Sequence, residues 1–178
     1  MTCFTPEKFT ELYRLKRLYK RSFPKEERKP FSIIRKMQKK GKTDIWYFEE
    51  DGEFLGLAAT INSDECILID YFAVAEKMRS KGYGTRMLTS LIDMYRPRGV
   101  FLEIEIPYKD SKNYEERVRR KEFYIRAGLS ELGTSAKLFG VDMELLGVGV
   151  DLDFDAYRNF YLNNYGKFAY DHIAKIAN

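Results

Sequence analysis

The sequence predicts a mixed α/β fold in one domain, a mostly antiparallel sheet flanked by helices. Three observations carry this. Three strand-like runs between residues 44 and 74 are separated by turn signals, which makes a meander. The apolar period then lengthens to that of a helix at Met87, Leu88, Leu91, Ile92 and Tyr95. A strand–helix–strand unit follows from these, and such a unit closes as a right-handed crossover with parallel strands.

The elements follow in order. Thr5-Pro6-Glu7 offers a capping hydroxyl, a first-turn proline and an acid, so a helix is expected to start there. Leu12, Leu15, Tyr19 and Phe23 form its apolar face, and Pro24 ends it. A second basic helix is expected from Phe31 to Lys40, closed by Gly41. Residues 44–50 and 53–61 read as a hairpin about Asp51-Gly52, and 66–74 as a third strand. After the helix of residues 87–95, Pro97 and Gly99 break the chain and residues 100–106 form a strand. Asn113 and Glu116 have the spacing of a capping box for a helix reaching Ala127, with Gly128 behind it. Residues 129–138 and 141–150 read as strands about Gly140. Residues 151–178 are an aromatic-rich extension, expected to be helical from Phe154 to Ile176. Its seven Phe and Tyr residues up to Tyr170 call for a surface to pack on: the sheet, an acceptor cleft or a homodimer interface.

Composition excludes several classes. Hydrophobic residues make up 44%, enough for a core. No apolar run approaches the ~20 residues of a membrane span, and the N-terminal stretch has no apolar signal region. The expectation is a soluble, cytoplasmic protein. Cys3 and Cys66 have no metal-ligand spacing, and the lone His172 argues against a histidine metal site or a Ser-His-Asp triad. Residues 14–42 carry a net +11 against −7 for the rest. A nucleic-acid role for that segment predicts affinity that falls steeply with salt. Few aromatics interleave the charge, which favours a solvated helix face near an anionic cofactor instead.

The most informative stretch is Arg79-Ser80-Lys81-Gly82-Tyr83-Gly84-Thr85, which follows a strand and opens a helix. Gly82 and Gly84 suit a backbone that turns and approaches a ligand closely. A helix N-terminus supplies unpaired N–H groups and partial positive charge, the elements of a phosphate site. Arg79 and Lys81 add full charge, and Ser80 and Thr85 add hydroxyl donors. The ligand this favours is a pyrophosphate; the alternative is a tight strand–helix turn. Neither the Walker pattern nor the three-glycine dinucleotide pattern is present.

The run LIDYFAVAEKMRSKGYGTRML resembles the acetyl-CoA signature of the GNAT acetyltransferases, and EFYIRAGLSELG resembles a second, downstream segment of that family. The resemblance spans roughly residues 5–150. It implies that strands 66–74 and 100–106 splay apart to admit acetyl-CoA as acyl donor. It also implies that Phe72, Ala73 and Val74 offer backbone to the pantetheine and that 79–85 cradle the pyrophosphate. Tyr124 would protonate the departing thiolate. The family does not fix the base, and the candidates by position are Asp70, Glu103 and Glu105, the last two sharing a strand face. Arg117 stands where many members carry a cofactor-contacting asparagine, so that contact is not carried over. The implied activity is acetyl transfer to a primary amine of a small molecule or a protein; the alternative is a non-catalytic acyl-CoA-binding module on the same fold.

Overall fold

The computed structural model describes residues 1–25 and 27–176. They gather into two compact units: Met1–Asn62 with Leu68–Ser90, and Ser63–Ile67 with the described residues from Leu91 onward.

The first unit is a four-stranded sheet with helices on it. Its elements are β1 (Thr2–Phe4), α1 (Phe9–Ser22), α2 (Phe31–Lys39), β2 (Thr43–Glu50), β3 (Glu53–Asn62) and β4 (Ile67–Val74). A single 3₁₀ turn (Glu76–Met78) leads into α3 (Tyr83–Tyr95). The strands lie in the order β1-β2-β3-β4, with β1, β2 and β3 antiparallel. Asp51 and Gly52 both have positive φ (51° and 79°), as a two-residue hairpin turn of the mirror-image type requires. Alternate residues of the strands, among them Ile45, Tyr47, Leu57, Ala59, Tyr71 and Ala73, meet Leu15, Leu18, Tyr19 and Ile34 from the two helices. That period of two against a helical stripe is the pattern that specifies one buried sheet face.

The second unit holds β5 (Val100–Glu105), α4 (Tyr114–Arg126), β6 (Ser130–Leu138), β7 (Val141–Val148), α5 (Phe154–Tyr165), α6 (Lys167–Asp171) and β8 (Ile173–Ala174). The strand order is β5-β7-β6-β8, all antiparallel. Ile67, at the head of β4, belongs to this unit, and its N–H donates to Gly99 O (3.1 Å) just before β5.

Four local expectations are corrected. The first helix starts at Phe9 rather than at Thr5-Pro6-Glu7, because the Glu11 carboxylate accepts the N–H groups of both Glu7 and Lys8 (3.1 Å each) and caps the helix there. Asn113 makes no side-chain cap; Glu116 pairs instead with Arg120 one turn on (2.7 Å). The tail is not helical throughout: Gly166 breaks it at φ 85°, and Ile173 and Ala174 pair with Leu138 and Lys137. The short strand β1 was not expected from the sequence.

Candidate functional site

The phosphate-loop residues lie in the first unit. β4 runs out at Val74, and Ala75 N–H donates to Leu55 O (2.8 Å). The 3₁₀ turn closes with Arg79 N–H on Glu76 O (3.3 Å). Ser80 and Gly82 then take positive φ (58° and 80°), and α3 begins at Tyr83. The left-handed conformation explains a glycine at 82; at Ser80 a side chain bears it. The ladder opens with Arg86 N–H to Gly82 O (3.3 Å), so the amides of Tyr83, Gly84 and Thr85 lie in the first turn, ahead of any helical acceptor. A methyl group built on Gly82 would meet nothing within 4 Å, so the space beside this residue is open. Lys81 and Arg79 are exposed beside it, and Arg79 Nε also donates to Val74 O (3.3 Å). That bond ties the turn back to the strand end formed by Phe72, Ala73 and Val74. Arg86 is not spare charge: it forks onto Glu50 and lies 5.6 Å from the Tyr83 ring centre. The guanidinium drags the Glu50 carboxyl down to about 2.

Asp70 lies on the same strand, β4. Both its oxygens accept from Lys29 Nζ (2.8 and 2.7 Å), and its side chain is only 12% exposed. The ion pair leaves the Asp70 carboxylate engaged with a cation rather than open to a ligand.

The other acid–base candidates lie in the second unit. Tyr124 is half-buried on α4 with its ring 5.1 Å from Phe123. Its hydroxyl makes no hydrogen bond among the described residues, and burial pushes its pKa up, with Arg120 opposing weakly. Glu105 is bound by Arg117 (2.7 Å), which also donates to Ile106 O (2.9 Å). Arg117 is thus engaged in holding α4 to the end of β5. Glu103 accepts hydroxyl bonds from Tyr157 (2.9 Å) and Tyr161 (2.7 Å), both on Oε1. Sequence reasoning missed these two tyrosines. Their spacing of four on a helix was a usable signal, since it puts both hydroxyls on one face.

A model of the "Acetyltransferase (GNAT) family" matches residues 12–118, well over half of the chain. The chain belongs to the GNAT acetyltransferase family. Solved structures agree on the fold. A GNAT-family protein from Bacteroides thetaiotaomicron superposes with a TM-score of 0.73 at 22% identity, covering 94% of this chain and 99% of that one. A chimera of the spermidine N-acetyltransferase from Vibrio cholerae gives 0.63 at 13% identity, over 83% and 96%. A Bacillus subtilis acetyltransferase in complex with CoA gives 0.57 at 15% identity, over 84% and 97%. No curated protein matches the sequence.

For a GNAT chain the local chemistry is coherent. The Arg79–Thr85 turn brings first-turn amides and the exposed cations Arg79 and Lys81 together. Tyr124 keeps its proton at neutral pH because burial penalises the phenolate. Glu103 accepts from two tyrosine hydroxyls, whereas Asp70 and Glu105 are paired with Lys29 and Arg117. Among the described residues, no group of His, Cys, Asp and Glu is arranged to hold a metal, and no helix is long and apolar enough to cross a membrane.

Proposed function

We propose that the protein transfers an acetyl group from acetyl-CoA to a primary amine of a small molecule or a protein, by direct attack within a ternary complex in the cytoplasm. The observation that carries this is the Arg79–Thr85 turn, a basic turn with left-handed residues at Ser80 and Gly82 that opens a helix and has free space beside Gly82. A pyrophosphate is the group such a turn accommodates. The CoA bound to the Bacillus subtilis relative and the spermidine activity named for the Vibrio cholerae relative support the choice of donor and of acceptor class.

Acetyl-CoA supplies an activated carbonyl, and the chain supplies what the amine and the leaving thiolate need. Phe72, Ala73 and Val74 bind the pantetheine arm through their backbone. The amine must lose a proton to attack, and Glu103 accepts it, directly or through water. Asp70 is the other carboxylate candidate, with both of its oxygens on Lys29 Nζ. The nitrogen–carbon bond forms and the carbon–sulfur bond breaks; Tyr124 gives its proton to the thiolate and regains one from the second proton that the new amide nitrogen sheds, through water. Positioning both substrates contributes much of the rate.

Tyr124→Phe removes one hydroxyl and leaves the ring packing. Thiol release from acetyl-CoA with a panel of amines is expected to show kcat reduced about 100-fold, with the KM for acetyl-CoA nearly unchanged. An unaltered kcat would remove Tyr124 from the reaction.

A further inference from the structure

The side chain assigned as base is gripped by the C-terminal extension. Tyr157 and Tyr161 stand one turn apart on α5, and both hydroxyls point at the same oxygen of Glu103. Tyr157 is 0% exposed and Tyr161 5%. Their rings pack by edge contacts, Tyr157 on Phe101 (6.4 Å between centres) and on Tyr161 (5.2 Å). A phenylalanine would pack the same way, so burial of the rings does not account for the hydroxyls. What the hydroxyls add is two donors to a carboxylate that is partly withdrawn from water.

A carboxylate leaving water keeps its charge only if donors replace the lost hydration. Hydrogen bonds to the charged form favour that form. Two bonds on one oxygen also fix the side-chain rotamer. Tyr157 stays protonated: burial, reinforced by the charge of Glu103, pushes its pKa well above the ordinary tyrosine range.

We propose that Tyr157 and Tyr161 are positioning residues that hold Glu103 ionised and aimed to receive the proton of a cationic amine, which makes α5 part of the acetyl-transfer site. The catalytic half of this rests on the acetyl-transfer reading above. The proton leaves the acceptor ammonium for Glu103 and passes from there to solvent, so the carboxylate is restored in each turnover.

The test uses the full chain as Tyr157→Phe, Tyr161→Phe, the double variant and Glu103→Gln. The Glu103 carboxyl is titrated by ¹³C NMR, its signal assigned by its loss in Glu103→Gln. The expected result is a rise of about one unit in the Glu103 pKa for each hydroxyl removed. The acid limb of kcat/KM for acetyl-CoA, with spermidine as acceptor probe, should move by the same amount. A purely structural role would lower the melting temperature, and could shift the titration, but would leave the acid limb of kcat/KM where it is. An unchanged Glu103 titration in the folded double variant overturns the proposal; if that variant does not fold, the single variants decide by the same titration. An active parent with an equally active Glu103→Gln overturns the base role alone. A parent that releases no thiol with any amine overturns the acetyl-transfer reading and the base role with it, while the titration still decides whether the tyrosines hold Glu103.

Discussion

At the scale of single residues, Tyr124 and Glu103 differ in how their environments are made. Among the described residues Tyr124 has a hydroxyl without a partner, and its pKa is raised by burial. A tyrosine ordinarily titrates near pH 10, so Tyr124 remains a donor throughout the neutral and mildly alkaline range. The kcat of the parent should therefore show no loss assignable to Tyr124 below about pH 10, and Tyr124→Phe should depress the whole profile without moving its limbs. A limb near pH 8 that vanishes in the variant would contradict this. The sequence singled out Tyr124 through the resemblance of its segment, with Gly128 four residues on, to one of the family. The environment of Glu103 was not, because its partners Tyr157 and Tyr161 are 54 and 58 residues away. Nor did the sequence distinguish Asp70 from Glu103; that depends on Lys29, 41 residues from Asp70.

At the scale of elements, the approach of β3 to β4 turns on one missing methyl group. A Cβ on Gly56 would lie 2.3 Å from Ala73 O, 2.6 Å from Met87 Cε and 3.1 Å from Val74 Cα. Met87 can shift, but the β4 backbone cannot shift without disturbing the strand that leads into the phosphate turn. Gly56→Ala is expected to cost about 1–3 kcal/mol, read as a fall of several degrees in thermal unfolding; an unchanged melting temperature would show that the strands have room. The long elements were readable because each carries its own period. β1 and β8, three and two residues long, are too short to carry one. The start of α1 was misplaced because the Thr5-Pro6 signal competes with the Glu11 carboxylate, whose two backbone bonds lie one turn later.

At the scale of the molecule, pH should act on stability mainly from the alkaline side. Burial raises the thiols of Cys66 and Cys3 from the ordinary 9.0 to about 11 and about 12. Burial, with help from Asp70 and Glu103 respectively, raises Tyr71 and Tyr157. A group whose folded pKa lies above its unfolded value contributes its full stability below the unfolded value and loses it as pH rises toward the folded one. Melting temperature should therefore hold from neutral pH to about pH 9 and fall beyond it, more steeply above about pH 10 as the tyrosines join. Glu50 has the opposite sign. Arg86 lowers it from 4.5 to about 2, so its contribution is present above 4.5 and is lost as pH falls toward 2. A melting temperature that is flat from pH 9 to 11 would contradict the buried-group account. The fold class was legible from the order of strands and helices. The division into two compact units was not, because neither Ser63–Ile67 nor the break inside α3 carries a linker composition.

The central claim is that the Arg79–Thr85 turn binds the pyrophosphate of acetyl-CoA. Its most direct test is thermal unfolding with and without acetyl-CoA, with NAD as the control, on the parent and on Gly82→Ala. Ligand at 100 times its dissociation constant adds about 2.7 kcal/mol, roughly 5–10 °C for a chain of this size. The predicted result is that shift with acetyl-CoA and with CoA, none with NAD, and a much smaller one when a methyl group occupies the open space at Gly82. No shift in the parent at saturating acetyl-CoA would contradict the account.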